Sequence, residues 1–385
     1  MNNIVFFEGA CRSDLLPLTF TRPVAEIRVG ILTIREKWEI RLNLNASYLT
    51  EDYLSLKYPF IEKNESLFLS GNLLPEDKII QSIQSLQNGD ALFFDGNLIA
   101  FLGSYENYRY QNFTSRRIIE TVNRIENTYD IFLKNGEELC ADFELITHSR
   151  ETQPLSFTNR VIGTNPVFVE EGAFVECTTI NTQKGPVYIG KDVEIMEGTN
   201  IRGPFAACEH ATVNMGSKIY GPTTIGPHCK VGGELNNVVM FGYSNKAHDG
   251  FLGNAVIGEW CNIGAGTEAS NLKNDYSEIK LWNYATRRFA RTGLQFCGLI
   301  MGDYSKAGIN TMFNTATVVG VGCNIYGTGF PRNFVHSFIE GGNSGFEEVN
   351  LKKFYITTEK MMARRKKEFT ERDKDICQYI FELDK

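Results

Sequence analysis

The hydrophobic positions follow two different rhythms along the chain, and the change falls near residue 160. Over residues 1–150, short apolar runs alternate with amphipathic ones. "NNIVFFEG" reads as a buried strand, "ILTIREKWEIRL" carries helical spacing, and "SLFLSGN" followed by "EDKIIQSIQSLQNG" predicts strand, turn and a helix ending at Gly89. "DALFFDGNLIAFLG" predicts a hairpin turned at Asp95 and Gly96. Strand alternating with helix indicates an open α/β sheet covered by helices.

From Val169 onward the period changes to six. Aliphatic residues recur at Ile189, Ile195, Ile201, Val213, Ile219, Ile225 and Val231, with Ala207 diluting the series, and the same step returns at Ile257 and Ile263 and at Val319 and Ile325. A short fixed repeat marks a solenoid, and a period of six predicts the hexapeptide parallel β-helix. Three hexads make one triangular coil, each aliphatic side chain points into the prism, and a small residue four positions later lets the backbone turn. Ala173, Thr179, Val193 and Thr267 fill that small position, as do Cys229, Cys261 and Cys323, so packing accounts for these three cysteines.

The register slips twice. Val231 to Ile257 holds two residues too many, with Val239 restarting the count; Ile263 to Met301 again holds two too many, across "NDYSEIKLWNYATRRFAR". Each slip predicts a loop leaving the coil, and such loops gather on one face, often the binding face. Between them lies "KAHDGFLGNAVIGEWCNIGAGTEASNL", residues 246–272, which holds one of the five histidines of the chain. After Gly345 the pattern turns helical, with Phe354, Met361, Phe369, Ile376 and Ile380 on one face, and predicts a polar cap over the open end of the solenoid.

Composition narrows the function. At 385 residues, more than one domain is expected. A net charge of -7 argues against a general nucleic-acid binder, so any bound anion must meet a local basic cluster. Nine cysteines, an odd count without a C-x-x-C pair, suit a reducing compartment. The amino terminus lacks the basic-then-apolar pattern of a secretory signal, and no stretch approaches the roughly 20 apolar residues of a membrane span. A cytoplasmic protein is expected.

"HDGFLGNAVIGEWCNIGAGTEASNL" resembles the acetyltransferase half of the bifunctional sugar-1-phosphate nucleotidyltransferase/acetyltransferases, best known for making UDP-N-acetylglucosamine. Their pattern is H-x-x-Y-x-G-D-x-x-I-G, then N-x-G-A-G-T, then an asparagine, and "GPFA" at 203–206 matches another segment. The resemblance implies that His248 is the general base and that Asn271 helps hold the acetyl donor and the sugar amine. An amine attacking a thioester must lose a proton, which an imidazole with its ordinary pKa of about 6.5 can take. The oxyanion formed needs donors, for which the backbone N–H groups of the Gly264, Ala265, Gly266 turn or the Asn271 amide are candidates. The family tyrosine is Phe251 here and the aspartate of its G-D is Asn254. Where the family carries a lysine for the sugar phosphate this chain has Asn236 and Asn237, with Lys280 or Arg287 as possible substitutes. Arg287, Arg288 and Arg291 suit a polyanion such as coenzyme A, or equally a solvated loop.

The amino-terminal segment "FEGACRSDLLPLTFTRP" stands where nucleotidyltransferases carry G-x-G-T-R followed by P-L-T and a lysine. Gly9, Arg12, Pro17, Leu18 and Thr19 survive, and Arg12, Arg22 and Arg28 are candidates for a phosphorylated sugar or for surface ion pairs. "LFLSGN" resembles the family strand whose final aspartate binds magnesium, replaced here by Asn72; Asp95 is the candidate compensating carboxylate.

The expected architecture is α/β plus all-β: a reduced, Rossmann-like nucleotidyltransferase domain at 1–155, a left-handed parallel β-helix at 160–345 and a C-terminal helical segment at 346–385. The resemblance implies acetyl-CoA-dependent N-acetylation of an amino-sugar 1-phosphate, magnesium for the first domain, and a homotrimer. Its partners would be sugar phosphate or nucleotide sugar and coenzyme A, with neither nucleic acid nor membrane. The alternatives are a non-catalytic sugar-nucleotide sensor or scaffold, or a nucleotidyltransferase with a structural β-helix.

Overall fold

The computed structural model describes residues 1–383. The chain divides into two compact units. The first comprises 1–15, 21–27 and 32–127; the second comprises 16–20, 28–31 and 128–383. The division thus falls at residue 127, and the helix Asp130–Thr147 belongs with the solenoid. The reason is packing: Asn135 Oδ1 accepts from Gly30 N at 2.8 Å and Thr224 Oγ1 at 3.1 Å, and a Cβ on Gly136 would lie 3.3 Å from Pro222.

The first unit is built on a six-stranded mixed sheet: β1 (Ile4–Phe7), β2 (Ala46–Leu49), β3 (Ser66–Ser70), β4 (Asp90–Phe94), β5 (Asn97–Gly103) and β6 (Ser115–Ile118), in the order β2-β1-β3-β5-β4-β6. β1 runs parallel to β2 and β3, while β5 is antiparallel to β3. The β4–β5 hairpin turns at Asp95 and Gly96, both at positive φ, as the Asp-Gly pair predicts. The helix after β3 spans Asp77–Gln84, stopping short of Gly89, which lies in a later turn at φ 94°. Phe68 and Phe101 are fully buried and stack across the strands.

The second unit is a parallel β-solenoid. On one face nine strands stack in parallel from Phe174–Val175 to Ile339–Gly342, and the antiparallel strand Gly345–Glu348 closes the stack. Aliphatic residues of the hexads fill its core, and Cys229, Cys261 and Cys323 are buried thiols outside any disulfide, as the small-position reading predicts. In the hexad opening at Val175 the buried small residue is Thr178 rather than Thr179.

The two register slips have opposite causes. The second is an insertion: residues 272–298 leave the coil and carry the antiparallel hairpin Lys280–Asn283/Arg288–Arg291. The first is a shortening, and no loop leaves there. Ile225 pairs with Met240, fifteen residues on, and Met240 with Ile257, seventeen on, so Met240 rather than Val239 carries the inward register. Earlier coils turn this corner with Gly203–Pro204 and Gly221–Pro222. Here the continuous strands Glu234–Gly242 and Phe251–Glu259 turn it with single left-handed residues, Asn237 (φ 56°) and Asn254 (φ 45°). Asparagine tolerates that conformation better than most side chains, so the corner closes with one residue fewer.

Another corner carries a column of positive-φ residues: Asp192, His210, His228, Tyr243, Trp260, Tyr304 and Phe338. The rings from His210 to Trp260 stack at centroid distances of 4.7, 4.8 and 4.3 Å. The C-terminal segment forms two helices, Leu351–Ala363 and Glu371–Leu383, with Met362 rather than Met361 buried; residues 384 and 385 of the expected segment lie outside the described residues. These helices pack along the corner column. Phe354 meets Phe338 and Tyr304, Phe369 meets Tyr304, and Lys367 lies over Tyr243. Exposed aromatic rings on a solenoid wall need apolar cover, and the amphipathic helices supply it.

Candidate functional site

The first unit holds a cavity of about 650 Å³ at the carboxyl end of β1, β2 and β3, where open α/β sheets place their ligands. Its lining includes Glu8 and Gly9 after β1, Thr50 after β2, Asn72 after β3, and Tyr105, Tyr108 and Arg109 from one short helix. Tyr108 stacks on Phe68 at 4.4 Å, and burial, then the neighbouring Tyr105, pushes its phenol up to about 12. Arg124 and Glu126 also line the cavity and pair with each other at 2.7 Å.

Of the residues expected here, Gly9 and Asn72 line the cavity. Asp95 sits at the exposed hairpin tip and is not part of the lining, to which Asn97 and Leu98 of the same hairpin belong. Arg12 is buried against Glu8 (3.3 Å), the Tyr53 hydroxyl (3.0 Å) and Arg22 O (3.2 Å), so Arg12 and Arg22 form a bracket beside the loop. Arg28 belongs to the second unit, where Nε donates to Phe241 O at 3.1 Å and the guanidinium also bonds Ile31 O. It therefore braces backbone carbonyls of the second unit. The cavity arginines are Arg109 and Arg124, which motif comparison passes over because no fixed spacing ties them to the glycine loop.

Magnesium requires hard oxygen donors with charge, and the residues present do not fit it. Asn72 Oδ1 accepts from Ser70 Oγ at 2.8 Å and its Nδ2 donates to Ile125 O at 3.0 Å. Glu8 accepts from Val24 N at 3.0 Å and from Thr50 Oγ1, and pairs with Arg12. Among the described residues no group of three His, Cys, Asp or Glu is placed to hold a metal ion.

In the solenoid, His248 is exposed at a corner between the strands Asn245–Lys246 and Phe251–Glu259, and its imidazole makes no hydrogen bond among the described residues. The corner lies between Gly232–Gly233 of the preceding coil and Ala265–Gly266 of the next. A Cβ on Gly233 would lie 2.9 Å from Asp249 Cα and His248 O, and Gly266 N donates to Asp249 O at 2.9 Å. Gly250, at φ 123°, would bring a Cβ within 2.1 Å of Thr267 O, so only glycine fits between these coils.

Two of the three expected backbone oxyanion donors are already engaged: Gly264 N donates to Ala307 O at 2.9 Å and Gly266 N to Asp249 O, while Ala265 O accepts from Asn310 N at 2.7 Å. Parallel stacking uses these N–H groups for the neighbouring coil. Asn271 belongs to a ladder, its Nδ2 donating to Asn254 Oδ1 at 2.7 Å. Asn237 extends the ladder, accepting from Asn254 Nδ2 at 3.0 Å and donating to Phe132 O at 2.9 Å and Pro222 O at 3.2 Å. Asn236 is half-buried beside it and pairs with Gly253. Phe251 is half-buried, with its N donating to Glu268 Oε2 at 2.7 Å. Lys280, Arg287, Arg288 and Arg291 are exposed on the inserted hairpin, where Arg291 pairs with Glu278 at 3.3 Å and Arg287 takes the turn at φ 51°.

Lys246 escapes motif reading. It occupies the inward slot that Val231 and Ile263 hold in adjacent coils, is 1% exposed, and burial pulls its ammonium down to about 8. With the fifteen-residue coil recognised, a lysine in an aliphatic slot is the signal. Between about pH 8 and 10.5 the unfolded chain holds this proton and the folded chain does not, so stability rises with pH across that window. Urea unfolding of wild type and Lys246→Met at pH 7.5 and 10 should show the difference moving in favour of wild type at the higher pH.

Residues 4–151 match the family model described as sugar nucleotidyl transferase. The chain is similar to a bifunctional sugar-1-phosphate nucleotidylyltransferase/acetyltransferase of Sulfurisphaera tokodaii, 32% identical over 146 residues, covering 37% of this chain and 36% of that protein. It is also similar to the bifunctional protein GlmU of Trichodesmium erythraeum, 28% identical over 135 residues (34% of this chain, 24% of that protein). The GlmU of Methanocaldococcus jannaschii is 29% identical over 121 residues (31% and 27%). The matches thus span about a third or less of each relative's length. Among solved structures, the polySia specific acetyltransferase NeuO matches with a TM-score of 0.28 at 14% identity, covering 51% of this chain and 88% of that one. Among the described residues no helix is long and apolar enough to cross a membrane.

Proposed function

We propose, with residues 4–151 as a sugar nucleotidyl transferase domain, that the solenoid transfers an acetyl group from acetyl-CoA to the amine of an amino-sugar 1-phosphate. What supports this reading most is the exposed imidazole of His248 on a corner adjoining the Gly264–Gly266 turn of the next coil. The amine nitrogen bonds to the thioester carbonyl carbon, the carbon–sulfur bond breaks, and the proton leaving nitrogen passes through the His248 imidazole to the departing thiolate. Two Nδ2 hydrogens are available to Asn271, of which one bonds Asn254, and the other is the oxyanion donor in this scheme. Arg287 and Arg288 on the inserted hairpin meet the coenzyme phosphates. A left-handed coil, a homotrimer and a cytoplasmic location belong to the same proposal.

The direct test follows free thiol while the protein is incubated with acetyl-CoA and glucosamine 1-phosphate. Thiol release dependent on the sugar is expected; none over a panel of amino sugars overturns the reading.

For the first unit, the engaged Asn72 and Glu8 favour a second reading, in which its cavity binds a sugar phosphate or nucleotide sugar without nucleotidyl transfer. Pyrophosphate release from UTP or dTTP with magnesium should then stay at background, while nucleotide-sugar binding persists in EDTA. Sustained magnesium-dependent release would overturn it.

A further inference from the structure

Three consecutive carbonyls at the His248 corner are each held by a donor. Asn214 Nδ2 reaches Ala247 O at 2.7 Å, Lys246 Nζ reaches His248 O at 2.8 Å, and Gly266 N reaches Asp249 O at 2.9 Å. Lys246 Nζ also donates to Gly232 O at 2.9 Å, and Gly232 N returns a bond to Lys246 O at 2.8 Å, so one side chain ties two coils at this corner.

Stacking alone does not call for this arrangement. The slot is aliphatic in the adjacent coils, and an ammonium there is costly to desolvate unless its hydrogens are satisfied. Asn214 spans thirty-three residues to reach Ala247, passing the intervening coil. The backbone is thereby fixed on three sides while the imidazole stays exposed. A catalytic base gains from such fixing, because a displacement of about 1 Å can cost about a hundredfold in rate.

We propose that Lys246 and Asn214 are positioning residues that hold the His248 corner in one conformation, so that the imidazole is presented at a fixed place. This rests on His248 acting as the base.

The test measures thiol release by wild type, Lys246→Met, Asn214→Ala and His248→Ala over a range of pH. Lys246→Met and Asn214→Ala should retain the folded circular-dichroism signal and lose about ten- to a hundredfold in kcat. Their pH–rate profiles should flatten, because the base no longer meets the amine. A loss of folded protein alone lowers the whole profile without changing its shape, and that outcome overturns the inference. Wild-type kcat in both variants overturns it too, provided that His248→Ala is inactive. Full activity of His248→Ala would instead remove the base reading on which the inference stands. Should Lys246→Met fail to fold, Asn214→Ala, which leaves the solenoid core intact, carries the test alone.

Discussion

Replacing His248 with alanine should lower acetyl transfer by about 10²- to 10⁴-fold, the usual contribution of a positioned proton acceptor. The melting temperature should stay within a degree or two of wild type, because the imidazole is exposed and makes no hydrogen bond among the described residues. The loss should lie in kcat, with the KM for acetyl-CoA little changed, since the coenzyme is assigned to the hairpin arginines. Raising the pH should not restore the variant. Steady-state thiol release at several pH values checks both statements, and equal activity of the two proteins would remove His248 from the reaction.

Ile257→Ala should have the largest effect on stability. Ile257 is fully buried, faces the prism interior and pairs with Met240 on one side and Met301 on the other. Removing three carbons from a closed column leaves a cavity that stacked coils cannot collapse to fill, and such changes cost about 2–5 kcal/mol. Because each coil contacts mainly its neighbours, the damage should spread along the solenoid from this point. Chemical denaturation followed by circular dichroism reads the loss; a cost below about 1 kcal/mol would contradict the packing described.

The period of six was legible in the sequence because the prism interior accepts little besides aliphatic and small residues, and the Asp95–Gly96 hairpin because few pairs tolerate its backbone. The shortened coils were not. A count of hexads cannot distinguish a coil missing residues from one with an excursion, and Asn237 and Asn254 read as ordinary polar residues until their left-handed backbone is seen. The same miscount hid Lys246, which looks like a surface residue unless Val231 is known to be its partner. In the first unit, Asn72 was found from its strand. Arg109 and Arg124 were not, because they reach the cavity from separate elements brought together only by the sheet order. Asp95 and Arg28 show the converse: nearness in a motif did not bring them to the cavity, one being at a hairpin tip and the other bonded to carbonyls.

The corner column has a practical consequence for following this chain in solution. Its three tryptophans occupy three different settings. Trp38 is buried in the first unit, Trp260 lies 4.3 Å from Tyr243 in the stacked corner, and Trp282 lies 4.1 Å from Phe334 on the inserted hairpin. Indole emission depends on the rings and solvent around it, so phenylalanine replacements that leave one tryptophan at a time convert these positions into separate optical gauges. The order in which the α/β unit, the solenoid wall and the hairpin loosen then becomes a measurement of fluorescence against denaturant.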